Sequence, residues 1–207
     1  VEKFRKLEKE AQENDKPFSL ERQTTVTTFS AVDVKTVVKR DIPLRYDEKG
    51  YLGTKVSGGR EIIKVTPYDR ILIVRKTGIW GVQDVAEKTF VDQGMFYCNY
   101  AEKEIINKVL FTVIYRDPKT LHCYIKRCRI AGWIMNRDYS FAPDGMEVLH
   151  VDTREKFKFT LNYVKKPRIK TLTQDFKAQN FEEKGLKAGG VRLDTKEVES
   201  VTVESAD

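Results

Sequence analysis

The sequence predicts an all-β fold, a propeller-like array of roughly four blades preceded by a short N-terminal helix. Three observations predict it. From about Thr24 onward β-branched and aromatic residues dominate, and turn signals return about every 8–15 residues. Residues 157–164 alternate cleanly, with Phe157, Phe159, Leu161 and Tyr163 on one face and Lys158, Thr160 and Asn162 on the other. That is the period of a half-buried strand. Apolar strands open near Ile71, Leu110 and Phe157, each followed by a turn and a second strand ending in basic residues. Repeats of ~40–50 residues with about four short strands mark propeller blades, and residues 24–193 have room for roughly four. A plain β-sandwich also accommodates these strands.

The elements follow in order. Residues 1–13 read as helix: Phe4, Leu7 and Ala11 share a face among Lys, Glu and Gln. Asn14 and Pro17 stop it. Residues 42–46 reach a turn at Asp47 to Gly50 and continue as Tyr51 to Val56. Residues 71–76 (ILIVRK) turn at Thr77-Gly78 and return as Ile79, Trp80 and Val82, a hairpin. Residues 109–115 turn at Arg116 to Lys119 and return as residues 123–130. A last strand is expected at Glu197 to Val203, inside an acidic end.

Composition narrows the function classes. Hydrophobic residues make up 40% and charged residues 33%, the balance of a packed globular domain. No apolar run approaches the ~20 residues that cross a bilayer, so no membrane partner is expected. A chain that starts with Val rather than Met suggests a fragment of something longer. The net charge is +7, unevenly spread: residues 1–23 carry six charges of each sign and residues 194–207 net −4, leaving +11 on residues 24–193. A compact body of that charge attracts polyanions.

Catalytic motifs are not found. There is no GxSxG, HExxH, P-loop or GxGxxG, and His122 and His150 lie in or beside strands as isolated structural histidines. Cys98, Cys123 and Cys128 have no metal-ligand spacing and read as small buried hydrophobes. No catalytic residue, metal or cofactor is therefore expected. Gly58-Gly59 and Gly189-Gly190 read as turn glycines with positive φ.

The basic residues carry the functional expectation. Arg127 and Arg129, two apart on one strand face, would stand ~6.6 Å apart, close to the phosphate repeat of one DNA strand. Lys165, Lys166, Arg168 and Lys170 cluster around Pro167 at a strand end, a rigid basic loop suited to phosphates. Lys184, Lys187 and Arg192 surround Gly185 and the Gly189-Gly190 pair; Lys55 and Arg60 flank Gly58-Gly59; Lys76 precedes Gly78. Basic residues beside turns thus recur along the chain. No exposed aromatic ladder suggests single-strand stacking, so double-stranded DNA is the expected partner. The alternative is a propeller-type protein–protein interaction module whose basic body meets an acidic protein.

Particular segments add a resemblance. Phe18 to Val38 contains Glu21-Arg22-Gln23-Thr24-Thr25-Val26 and then Asp33-Val34. It resembles the exit from the DNA-cleaving core of bacterial topoisomerase IV and gyrase A subunits. The stretches YDRILIVRKTGIWGV, VLFTVIYRDPKTLHCYIKRCRI and EKGLKAGGVRL resemble blades of that family's C-terminal domain, in its short ParC-like branch. The likeness covers most of residues 18–203. It implies a β-pinwheel, a propeller-like disc with DNA on its basic rim, that helps select and hold DNA for strand passage. Residues 1–23 would then be the connecting helix and linker from a catalytic core, residues 24–203 the pinwheel and residues 204–207 an acidic tail. It further implies a cytoplasmic, nucleoid-associated parent enzyme using ATP and Mg through other domains. Its partners would be a B (ATPase) subunit and the remainder of its own polypeptide, the rest of the A subunit. No Tyr here matches the family's nucleophile. The gyrase Gln-Arg-Arg-Gly-Gly-type box is also absent; Lys187 to Arg192 is a faint echo of it. The resemblance therefore favours decatenation or relaxation over gyrase-style wrapping.

Overall fold

The computed structural model describes residues 2–13, 39–167 and 170–204. The expected stop at Asn14 and Pro17 and the segment Phe18 to Val38 lie outside the described residues. The chain divides into two compact units, residues 1–33 and 34–207. The first contains α1 (Glu2–Glu13), the helix expected from its spacing of apolar residues.

The second unit is built by one rule, repeated. A hairpin forms; the chain then leaves, lends a short strand to the preceding sheet, and returns along the hairpin's first strand. Blade one starts with the hairpin of β1 (Ile42–Tyr46) and β2 (Tyr51–Gly53), and β3 (Arg60–Val65) returns along β1. Blade two pairs β4 (Arg70–Arg75) with β5 (Ile79–Asp84); β6 (Thr89–Phe90) crosses back to β2, and β7 (Met95–Tyr100) returns along β4. A short helix, α2 (Lys103–Ile106), leads to blade three. There β8 (Phe111–Arg116) pairs with β9 (Cys123–Cys128), β10 (Asp138–Ser140) crosses to β5, and β11 (Glu147–Asp152) returns along β8. Blade four pairs β12 (Lys158–Tyr163) with β13 (Thr173–Lys177); β14 (Val191–Arg192) crosses to β9 and β15 (Val198–Val203) returns along β12.

The result is a β-pinwheel of four antiparallel sheets, ordered β3-β1-β2-β6, β10-β5-β4-β7, β11-β8-β9-β14 and β13-β12-β15. Separate sheets stitched by crossing strands exclude the two-sheet sandwich. The hairpins begin at residues 42, 70, 111 and 158. The first interval is the short one because blade one goes from β2 to β3 without a crossing strand. The strand expected within the acidic end is β15, and it completes blade four.

Three buried cores separate the sheets. Leu44, Leu52 and Val65 meet Ile71, Ile73 and Cys98 between blades one and two. Leu72, Val74 and Trp80 meet Phe111, Val113 and Tyr115 between blades two and three. Ile114, Cys123 and Ile125 meet Phe159, Leu161 and Val198 between blades three and four. This explains two kinds of strand in the sequence. In β4, Ile71 and Ile73 face one neighbour while Leu72 and Val74 face the other, so the run is continuously apolar. In β12 one face meets blade three and the other is wet, so it alternates. The wet face holds a polar ladder in which Thr160 bonds Asp175 at 2.7 Å and Asn162 donates to Ser200 and Thr202 at 3.0 Å each. No helix among the described residues is long and apolar enough to cross a membrane.

Candidate nucleic-acid interface

The hairpin turn is the part of each blade that the repeat places equivalently. In blade two it carries Lys76, and in blade four Lys165, Lys166 and Lys170. The corresponding turns of blades one and three carry Lys49 and Lys119, which only the repeat brings to notice. All six lysines are exposed. Lys76, Lys165 and Lys170 have no side-chain hydrogen bond or ion pair among the described residues. Lys166 reaches Glu197, Nζ to Oε1 at 2.6 Å, and Lys119 sits beside the Asp117 carboxylate it helps hold below the usual range. Arg168 lies outside the described residues.

A second group follows the hairpins' second strands. Arg60, Lys184 and Lys187 are exposed and without a side-chain partner among the described residues. Lys55 pairs with Glu87 at 2.5 Å. Arg192 folds onto its own loop, donating to the carbonyls of Asp194 at 2.8 Å and Thr195 at 3.4 Å.

The expected pair of strand arginines is corrected. Arg127 is 8% exposed, and its guanidinium donates to the carbonyls of Phe181 at 2.9 Å and Glu155 at 2.8 Å. It ties β9 to blade four and offers no surface for phosphate. The reason is that β9 lies between two cores: the face shared by Ile125 and Arg127 is covered by blade four, and the opposite face by blade two. Arg129 lies just past β9 in a bidentate pair with Glu183, at 2.9 and 3.0 Å, with further bonds to the carbonyls of Lys108 and Asn107. That pairing raises the Arg129 guanidinium above its ordinary value and holds Glu183 below the usual carboxylate range.

The glycine pairs also divide. Gly58 has the expected positive φ of 77°. Gly190 is needed instead for close approach, since a Cβ there would lie 2.6 Å from the Tyr115 hydroxyl oxygen and 2.8 Å from the Ile125 carbonyl. Its N–H donates to that hydroxyl at 2.7 Å, seating the start of β14.

The three cysteines and Asp152 are engaged in structure. Cys98, Cys123 and Cys128 are buried, and burial pushes their thiols up to about 12, 12 and 11. Asp152 is buried beneath His150 and Arg154, bonded to His150 Nε2 at 3.2 Å and Arg154 Nη2 at 2.7 Å. Burial alone would raise its carboxyl; those hydrogen bonds outweigh it and hold Asp152 well below the usual carboxylate range.

Known proteins match this chain along the same span. The family described as topoisomerase C-terminal domain, Bacteroidota, matches residues 43–205, from β1 through β15. The A subunit of DNA topoisomerase 4 from Borreliella burgdorferi is 23% identical over 128 residues, covering 61% of this chain and 20% of that relative. The chain thus aligns with about a fifth of that relative's length. The chain belongs to the topoisomerase C-terminal domain family of Bacteroidota, as the C-terminal domain of a topoisomerase A subunit.

Proposed function

We propose that this domain binds duplex DNA through its phosphates, independent of sequence, and bends it so that the parent topoisomerase can hold a segment for strand passage. The observation that carries the reading is the recurrence of lysine in the hairpin turn of all four blades. A row of cations at repeated positions meets a polyanion whose charges also repeat, and each contact releases counterions. Curvature then lowers free energy whenever an added phosphate contact offsets a bending cost of about a few kcal/mol. The parent enzyme is read as an ATP- and Mg-dependent type II topoisomerase of the topoisomerase IV kind, acting in the cytoplasm with a B subunit that supplies the ATPase.

The test is duplex affinity measured by fluorescence anisotropy from 50 to 200 mM salt. With about six phosphates engaged, log K falls against log salt with slope near −5. Replacing Lys76, Lys165 and Lys170 together by Glu is expected to shallow that slope by about 3 and to weaken all sequences alike. A flat salt dependence, or loss confined to one sequence, would refute the reading.

A further inference from the structure

A cavity of about 690 Å³ opens where two loops meet, the one from β9 to β10 and the one that brings β14 back. Its walls are aromatic and apolar, including Trp133, Tyr139, Pro143 and Leu186. Lys126, Arg137 and Lys187 also line it, and no carboxylate among the described residues does. Such a lining suits a planar ring that carries negative charge.

Two buried donors in the wall are incompletely used. Trp80 is 0% exposed and its Nε1–H has no hydrogen-bond partner among the described residues. Lys126 is 3% exposed, and its ammonium donates to the carbonyls of Phe141 at 2.9 Å and Leu186 at 2.6 Å. An ammonium has three protons, so one remains. Burial draws its pKa below the ordinary value, and a nearby anion would favour the charged form. A buried donor left unpaired carries a desolvation cost that a ligand acceptor removes. At the mouth, Arg137 is exposed and stacked over the Tyr139 ring at 5.5 Å, and Lys187 is exposed and unpaired among the described residues.

We propose that this cavity is a nucleotide site, taking an unstacked base against Trp133 and its phosphate against Arg137 and Lys187. The nucleotide comes from solution or from an unpaired position in a DNA strand; the ring-plus-phosphate chemistry is the same. The site shares Lys187 with the second basic group, but its binding of a mononucleotide does not depend on duplex backbone binding.

The chain holds two tryptophans, and both line the cavity. Its two indole N–H resonances in a nitrogen-15 correlation spectrum therefore report on the site directly, with Trp133→Phe assigning them. Adding adenosine 5′-monophosphate is expected to shift the Trp80 indole resonance saturably, while equal inorganic phosphate does not. Arg137→Glu and Lys187→Glu, both exposed positions, should each weaken that titration roughly tenfold. A response to a duplex with one unpaired adenine, but not to the free nucleotide, identifies a DNA strand as the source. The proposal is overturned if neither probe shifts Trp80, if inorganic phosphate or a fully paired duplex shifts it equally, or if the two variants titrate like the parent chain. Because the mononucleotide arm contains no duplex, its result is independent of the salt-dependence test above.

Discussion

Single residues here show how a charge changes role with burial. Arg127 and Lys165 are both basic, yet one is sealed between blades and the other is wet. Replacing Arg127 by Met would leave the Phe181 and Glu155 carbonyls without their donor. The expected loss is about 2–3 kcal/mol, read as a lower urea midpoint, with the salt slope of duplex binding unchanged. Asp152 predicts an acid response. Its folded pKa lies below its unfolded value of about 3.9, so the folded state binds fewer protons near that pH. Its stabilising contribution is therefore present above about pH 4 and lost as pH falls below it. Asp152→Asn should be less stable at pH 7 and should lose stability less steeply on acidification, as followed by chemical denaturation at pH 3–7.

Among the elements, the hairpins are legible in the sequence and the crossing strands are not. β4 and β5 announce themselves as an apolar run, a Thr-Gly turn and a second apolar run. The crossing strands β6, β10 and β14 are two or three residues long, too short to carry a period, and their partners lie in another repeat. β9 misleads for a related reason. Period-2 alternation separates the two faces of a strand without saying that one is wet, and in a middle blade both are dry. The candidate interface is half legible: Lys76 and Lys165 to Lys170 stand out beside their turns, whereas Lys49 and Lys119 are solitary among Asp47, Glu48 and Asp117. The attachment of β14 is testable at Gly190. Alanine there would press a methyl group on the Tyr115 hydroxyl and the Ile125 carbonyl, at an expected cost of about 1–3 kcal/mol. Hydrogen exchange should then show protection lost first at Val191 and Arg192, which pair with Ile125 and Tyr124.

At the scale of the second unit, each sheet is bound to the next twice, by a buried core and by a borrowed strand. No blade can leave without breaking a neighbour's ladder as well as exposing a shared core. Residues 39–204 are accordingly expected to unfold in one transition, with tryptophan fluorescence and far-ultraviolet circular dichroism coinciding in urea. Because the tryptophans report only the seam of blades two and three, a second transition seen by circular dichroism alone would show that an outer blade melts separately.

The same borrowing rule has a direction. Repeats two to four each lend a strand backward, and among the described residues sheet four, with its order β13-β12-β15, receives none. Among the described residues the free margin of β13 is unpaired, and the exposed charges of Asp175 and Lys177 sit on that strand, the kind of side chain that discourages stray pairing. A strand offered to that margin from outside would meet these charges first, so stray pairing along β13 is disfavoured.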